Sequence, residues 1–582
     1  EEEKTQDSKS TSESYNPIML LYEGLVRLVL AAKWVTVAGT ILICIAILNL
    51  PVSSEFFPQA DRDQFAVKIE LPQTATIAQT DEIARQVEEI IRKLSAVVEN
   101  DSQIGDKTQR LRSMRTLVGG GGSRWHLGWD PEPRSANYAE ILIRTSDGGY
   151  TTEFAERLRH ACVVGDEDLG IEPVVGARIV PIELALGPPA DPLLFRITGN
   201  GFADPQVLRQ AALDLRQVVD KQPETWNVND SWGVNGYQIR VNIDKDRATL
   251  AGVTNAQVAR TLNSYYSGLR LTTFREGDHQ IPIYFRLKPD QRGSIRGLQE
   301  SYVEGSKGKV PLAALADFEY AWELAKIERR NMNRVIEVSS RMEPGVTGND
   351  VVNRLLQDRT DPGDPDSTAI GTIQKTLPAG YWIEPGGSYA ESQDAAGQMG
   401  MSFAASLILI VLCLVFQYNG FAKPLIIIGT LPLALVGAWL GLFLTDNSLG
   451  FMPQLGILAL FGIVLNTAII FVEFADILIA AKSKESQGDG PIAGLSVAEF
   501  RSCLIEAGKQ RMLPIFLTTA TTVGGLIPLA LTGGPLWVGL AWCMIVGLLF
   551  TTVLTLFLVP AFYAVLVETF GVRPIANSAE DD

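Results

Sequence analysis

Asn466, Glu473 and Asp476 share one otherwise apolar run, Leu455–Ala480. Its first eighteen residues, Leu455–Val472, carry no charge, which is enough to cross a bilayer as a helix. Asn466 and Thr467 fall near the middle, where an unpaired amide is costly in lipid. Glu473 follows seven residues later on the same helical face, with Asp476 one turn further on. A helix with such a polar centre is expected to pack inside a bundle. Arg511 and Thr518 repeat the seven-residue spacing on a second apolar run. Thr521 and Thr522 continue that stripe, and Gly524 and Gly525 suit close helix approach. Charges, an amide and hydroxyls stacked inside a membrane are the materials of an ion or proton relay. The plainer alternative is that Arg511 caps a helix end, the threonines bond their own backbone, and Glu473 and Asp476 sit at the interface.

No constellation for catalysis accompanies them. His126, His160 and His279 are scattered, and His126 beside Trp125 and Trp129 reads as a loop residue with a packing role. The five cysteines form no CxxC, and only Cys162 falls in the large polar stretch, so that stretch has no internal disulfide. Met399 and Met401, two apart, point to different sides of a helix. Metal or nucleophilic chemistry has no spacing to support it. Gly119, Gly120, Gly121 and Gly122 lie between Arg115 and Arg124 without the Lys-Ser/Thr of a phosphate loop, and read as a flexible loop. A net charge of −16 argues against nucleic acid as a partner.

The elements that must position these residues fall into two classes. Six spanning helices can be drawn: Trp34–Leu50, Gly397–Phe416, Pro424–Leu444, Leu455–Ala480, Leu513–Leu531 and Leu536–Val567. Thr532–Pro535 divides the last two. Lys482, Lys484, Arg501, Lys509 and Arg511 crowd one loop and Lys423 another, whereas the alternate loops have no Lys or Arg. The positive-inside rule then puts both termini in the cytoplasm and the large polar stretch outside. The first span, flanked by Arg27 and Lys33, reads as a retained anchor and not a signal peptide. The chain opens on Glu1 without Met, as expected of a processed, tagged or cut product, and residues 1–21 read as a disordered acidic, Ser-rich tail.

Between the first two spans lie about 345 residues, enough for more than one domain. Phe65–Leu71, Tyr138–Arg144, Leu194–Thr198 and Tyr237–Ile243 alternate like strands. Each precedes a helical pattern: Asp81–Leu94 (with Ile83, Val87, Ile90 and Ile91 on one face), Glu153–Val163, Pro205–Lys221 and Asn255–Ser264. This rhythm predicts α+β subdomains of the ferredoxin-like, split βαβ kind. Asp361–Asp366 reads as an exposed linker. The fold class expected is an α-helical membrane bundle of six transmembrane helices with a large extracytoplasmic α+β region.

One helix, a large outer region, then five helices resembles the C-terminal half, helices seven to twelve, of a resistance–nodulation–division (RND) efflux transporter. Leu50-Pro-Val-Ser-Ser-Glu-Phe-Phe-Pro58 with Asp61 and Val67–Pro72 resembles that family's passage into its porter domain. Leu377–Gly380 through Gly387–Glu391 resembles its return to the membrane, Phe461–Ala475 its tenth helix, and Arg511–Thr518 its eleventh. The resemblance covers about Tyr22–Val567.

The resemblance implies a secondary transporter, not an enzyme, exporting small amphiphilic compounds by proton antiport, with no cofactor beyond the proton gradient. Arg511 and Thr518 stand where the family has a relay arginine and threonine. Asn466 stands where drug exporters place a lysine against an aspartate pair on the fourth helix; that pair belongs to a complementary N-terminal half, so either a second polypeptide supplies it or this chain is a fragment. Alone, this chain is not expected to pump. A neutral amide offers no switching charge but can still hydrogen-bond a carboxylate. Metal-ion efflux is the alternative within the superfamily, although the acid and methionine relay usual to that branch are not at matching positions. A non-transporting scaffold, sensor or secretion-assisting subunit is the other. The family further implies a trimer, a periplasmic adaptor, an outer-membrane channel and a bacterial inner-membrane location. Its subdomains would fall at 53–145 and 146–234 (porter), 235–320 (docking) and 321–396 (return to the membrane). Helices would fill 22–52, 397–480 and 513–567, with a cytoplasmic loop at 481–512 and tail at 568–582. Gly119, Gly120, Gly121 and Gly122 would lie near the substrate-gating loop.

Overall fold

The computed structural model describes residues 17–55, 57–58, 62–95, 110–126, 128–184, 186–187, 190–288, 295–306, 308–324, 326–357, 370–486, 492 and 495–572. The expected acidic tail up to residue 16, Phe56 and Asp61, the Asp361–Asp366 linker, parts of the 481–512 loop and the tail from 573 lie outside them. The described residues form two compact units, one of 72–75 and 232–327 and the other of the remainder.

In the larger unit, α1 (Pro17–Ala31) meets α2 (Lys33–Leu48) at a 97° bend. Tyr22, Val26 and Leu30 recur every four residues along α1 and are buried, while Leu21, Leu25 and Leu28 are exposed. Among the described residues five helices are long and apolar enough to span a membrane, and six if the bent pair is one span. The first expected span is thus only the sixteen-residue α2, shorter than a usual crossing.

An α/β module follows: β1 (Gln64–Glu70), α3 (Ile77–Ser95), β2 (Leu111–Val118), β3 (Tyr138–Thr145), α4 (Thr151–Val163) and β4 (Arg178–Glu183). Its strands lie in the order β2-β3-β1-β4, every neighbouring pair antiparallel. Phe65, Val67 and Ile69 of β1 bury against Val87 and Ile91 of α3 and Phe154 and Leu158 of α4. Because β4 must pair with β1 to cover this core, the boundary expected at 145 falls inside the module. Strand β2 has no counterpart in the sequence pattern, since its exposed Arg112, Ser113 and Arg115 obscure the alternation.

A second module opens with β5 (Leu193–Gly199), α5 (Pro205–Asp220) and β6 (Thr225–Asp230). Asp204 caps α5 by accepting the Gln206 N–H at 2.9 Å, with Pro205 in the first turn. At Trp232 the chain leaves for the smaller unit. There β7 (Gly236–Ile243) pairs antiparallel with β12 (Ala316–Glu323). Between them lie α6 (Lys245–Ala251), α7 (Asn255–Asn263) and the hairpins β8 (Leu269–Glu276)–β9 (His279–Phe285) and β10 (Tyr302–Gly305)–β11 (Gly308–Pro311). A Thr254–Gln257 capping box starts α7, and Val258, Val303, Leu312 and Leu315 form this unit's core.

Back in the larger unit, β13 (Glu328–Arg330), β14 (Asn333–Met342), α8 (Gly348–Gln357), α9 (Ile370–Thr376) and β15 (Tyr381–Pro385) complete the second module. Strand β14 pairs with β13, β6 and β5, and β15 with β5. With β6, β14, β5 and β15 side by side, the strand order is that of the first module, interrupted by the smaller unit. Arg159 of α4 ties the modules, donating to both carboxylate oxygens of Glu343 at 2.7 and 2.9 Å and lying 4.7 Å from the Trp226 ring.

The remaining helices are α10 (Gly387–Tyr418), α11 (Ala422–Ile428), α12 (Leu431–Leu444), α13 (Phe451–Ser486), α14 (Val497–Thr532) and α15 (Gly534–Phe570). The expected single span Pro424–Leu444 falls within one span, Ala422–Leu444, interrupted only by a turn between α11 and α12, where Pro432 cannot supply an N–H to the helical ladder. Gly534, at φ +71°, turns the chain between α14 and α15. Helix α15 is central, packing on α12, α13 and α14. Gly437 and Gly547 let α12 and α15 approach so closely that a Cβ on Gly437 would lie 3.0 Å from the Gly547 Cα. In their most apolar stretches only 11% of α10 and 17% of α14 is buried, against 56% of α15.

Candidate functional site

Helix α13 carries two polar sites of opposite character. Its buried face, Val464, Ala468, Phe471, Val472, Ala475 and Ile479, packs into the bundle core. Beside this face Asp476 accepts from Lys423 Nζ at 2.6 Å and from the Tyr563 hydroxyl of α15. The Lys423 ammonium stands 5.9 Å from the Tyr418 ring centre. Helices α11, α13 and α15 therefore converge on one carboxylate. Sequence reading places Lys423 among the topology-setting charges and Asp476 near a helix end. Nothing in their spacing, 53 residues apart, joins them.

Asn466 and Glu473 lie on the other face and are exposed, so the polar centre of the helix does not point into the bundle. The Cβ position of Gly462, one turn before Asn466, meets only open space, as do those of Gly524 and Gly525 on α14. The close approach expected at the two α14 glycines is therefore not made among the described residues. Thr518 is exposed, and its hydroxyl donates to Ile515 O at 2.9 Å. Thr521 and Thr522 likewise donate to the Thr518 carbonyl at 2.9 Å, and Thr467 to Ile463 O at 3.3 Å. Thr519, one residue from Thr518, instead faces inward and shares a 2.8 Å hydroxyl contact with Thr552 of α15.

Arg511 does not cap its helix. Its guanidinium carbon lies 4.1 Å from the centre of the Phe474 ring on α13, beside Glu473, and its buried Nε has no hydrogen-bond partner among the described residues. The structure thus brings Arg511 against α13 about 12 Å along the helix from Asn466. No hydrogen bond joins Asn466, Arg511 and Thr518 to one another among the described residues.

The glycine run in the first module is built, not loose. Gly121 N–H donates to Glu132 O at 3.0 Å, Gly119 N–H to Tyr138 O at 2.9 Å, and Ser135 N–H to Gly119 O at 3.3 Å. Gly120 is buried at φ +145°, a conformation that favours glycine, and a Cβ there would lie 2.9 Å from the Arg134 Cα. A Cβ on Gly121 would lie 2.6 Å from the Glu132 nitrogen, and one on Gly122 would lie 2.5 Å from the Leu117 side chain. The expectation of a flexible loop at Gly119, Gly120, Gly121 and Gly122 fails because bare backbone packs on its neighbours here. Trp125 and Trp129 stack beyond it with ring centres 5.8 Å apart, and His126 Nδ1 accepts the Gly128 N–H at 3.0 Å, a packing role.

A sequence profile of the AcrB/AcrD/AcrF family matches residues 2–118 and 197–567. The chain belongs to the AcrB/AcrD/AcrF family. This is a family of RND transporters, not of enzymes, and the glycine run and β4 fall between the two matched segments. Among curated relatives, the swarming motility protein SwrC of Bacillus subtilis (strain 168) is 26% identical over 390 residues, 66% of this chain and 34% of that protein. An uncharacterized transporter of Haemophilus influenzae Rd is 26% identical over 337 residues, 56% of this chain and 30% of its own length. The chain thus spans about a third of these relatives. A crystal structure of a heavy metal efflux pump superposes with a TM-score of 0.71 at 19% identity, covering 95% of this chain and 52% of that one. At that identity the likeness shows the fold.

Proposed function

We propose that this chain is one half of an RND-type secondary transporter that exports small amphiphilic compounds by proton antiport across a bacterial inner membrane. The observation that carries this reading is the uncovered polar stripe. Asn466, Thr518 and the glycines Gly462, Gly524 and Gly525 are exposed on α13 and α14. Small residues beside polar ones are what a further helix needs in order to dock. A complementary N-terminal half carrying an aspartate pair fits there, with Asn466 as hydrogen-bond partner to the pair and Arg511 and Thr518 as the relay.

In this reading both α/β modules are ferredoxin-like porter subdomains on the periplasmic side, and both termini are cytoplasmic. The turn formed by Gly119, Gly120, Gly121 and Gly122 belongs to the substrate path, and the Trp232–Ile327 unit docks to a periplasmic adaptor or outer-membrane channel within a trimer. The test is proton-gradient-dependent dye efflux from cells that express this chain together with the complementary half. Efflux that an uncoupler and Arg511→Ala both abolish supports coupling through the stripe. Efflux undiminished in Arg511→Ala contradicts the relay. Resistance to metal salts in place of dye efflux would favour the metal-exporting reading, and neither activity would favour a non-transporting subunit.

A further inference from the structure

One face of the first module's sheet hides a carboxyl. Phe65, Val67 and Ile69 of β1 and Ala139, Ile141 and Ile143 of β3 pack on α3 and α4. Strand alternation therefore sends Lys68, Glu70, Tyr138 and Glu140 to the opposite side. Glu140 stands there in register between Lys68 of β1 and Leu117 of β2 and is 1% exposed. The segment after the glycine run lies over it. Trp129 of that segment is buried, and Lys68 Nζ donates to Glu132 Oε1 at 2.7 Å and lies 5.3 Å from the Trp129 ring centre.

The buried carboxyl lacks a close counter-charge. Lys68 has its ion pair with Glu132, Glu140 has none among the described residues, and the Tyr138 hydroxyl donates to Glu140 only at 3.4 Å. Burial pushes the Glu140 carboxyl above the usual range, outweighing the Lys68 charge and the donors on Tyr138 and Trp129 that favour its ionised form. The cover itself is held by few bonds. Gly121 N–H donates to Glu132 O and Ser135 N–H to Gly119 O, and Lys68 clasps Glu132. The buried Trp125 Nε1 has no acceptor among the described residues, a cost that opening to water removes.

From this geometry we infer that Glu140 is a proton-operated catch: with its proton bound, the cover carrying Trp129 and Glu132 stays closed on the sheet, and with the proton lost to solvent the cover lifts to hydrate the carboxylate. Closed and open states then differ in proton affinity. A carboxyl whose pKa is raised in the closed state supports that state fully below the ordinary carboxyl pKa, and the support is lost as pH rises through the raised value. Opening should grow by up to about tenfold per pH unit across that interval.

The other ionisable groups on this face and its cover are Lys68 and Glu70 on β1, Arg115 on β2, Tyr138 on β3, Arg178 on β4, and His126, Glu132 and Arg134. Arg178 Nε donates to Glu70 at 3.1 Å, and burial pushes the Tyr138 hydroxyl up, so it stays neutral. His126 acts with the opposite sign. Burial, with the Arg62 charge adding to it, holds its pKa down, so it gains a proton and loses the Gly128 N–H only as pH falls.

The inference deepens the transporter reading, in which this turn belongs to the substrate path, and it is tested on this chain alone. The full chain is placed in nanodiscs, and amide hydrogen exchange is followed by mass spectrometry from pH 5 to pH 8, each rate corrected for intrinsic exchange at that pH. Protection at the Gly121 and Ser135 amides should fall about tenfold or more over that range, while protection in α3 and α4 stays level. Glu140→Gln, which has no proton to lose, should keep its pH 5 protection at pH 8. Lys68→Met should lower protection at every pH by freeing Glu132, with the pH dependence retained. Protection in α3 and α4 reports whether each variant is folded, and the parent protein's own pH response tests the inference even where Glu140→Gln does not fold. Protection level with pH in the parent, protection that falls towards acid, or a fall at pH 8 in folded Glu140→Gln as large as in the parent would overturn the inference. The expected pH response without proton-coupled efflux, when the complementary half is present, would count against the transporter reading alone.

Discussion

Helix α13 bears one polar site that the chain completes and one that it leaves open. At Asp476 every partner comes from within: Lys423 and Tyr563 contact the carboxylate and Tyr418 flanks the ammonium. At the other site Asn466, Gly462 and the α14 residues Thr518, Gly524 and Gly525 are exposed among the described residues. A buried ion pair is costly to break because the survivor is stranded. An exposed amide or a threonine bonded to its own turn has little to lose. The contrast separates residues that hold this bundle together from residues that the proposal assigns to a partner surface.

Substitutions should sort along that line when the chain is unfolded in mixed micelles with increasing sodium dodecyl sulfate and followed by tryptophan fluorescence. Asp476→Ala, which strands Lys423, should cost about 3 kcal/mol. A loss under about 1 kcal/mol would mean that the closed site is ornamental, and a double-mutant cycle with Lys423→Met isolates the coupling. Tyr563→Phe should cost about 2 kcal/mol, as expected for a hydroxyl bonded to a charged group. Arg511→Ala removes a guanidinium from over Phe474 and should cost about 1 kcal/mol while abolishing proton-coupled efflux. Asn466→Leu and Thr518→Val should change stability by about 0.5 kcal/mol or less, yet impair transport in the two-half assembly. A large stability loss at either would place it with the closed site and erase the distinction.

Much of this is legible in the amino-acid order. The strands at Phe65, Tyr138, Leu194 and Tyr237 and the helices after them follow alternation and helical spacing. What escapes are elements whose partners are distant. Strand β4 looks like a turn-flanked fragment until β1 pairs with it, and β2 hides behind exposed arginines. Gly120 and its neighbours look flexible until the chain segment at Glu132–Arg134 closes over them. The inserted unit separates β6 from β14, so the second module's likeness to the first is invisible without the pairing. Within the membrane, polar stripes can be read by spacing, but spacing does not say which face is covered. Asn466 lies on the exposed face of α13, while apolar residues of α13 bury the other face against α15. The Asp476–Lys423 pair and the Arg511–Phe474 contact are tertiary, and no local pattern encodes them.

The claim that matters most is that the Asn466 face meets a second chain, and a photocrosslink reports it directly. With p-benzoylphenylalanine at position 466 and the complementary half co-expressed, illumination should yield an adduct between the two chains that maps to that partner's polar fourth helix. Adducts only to lipid, or only to another copy of this chain, would contradict the account.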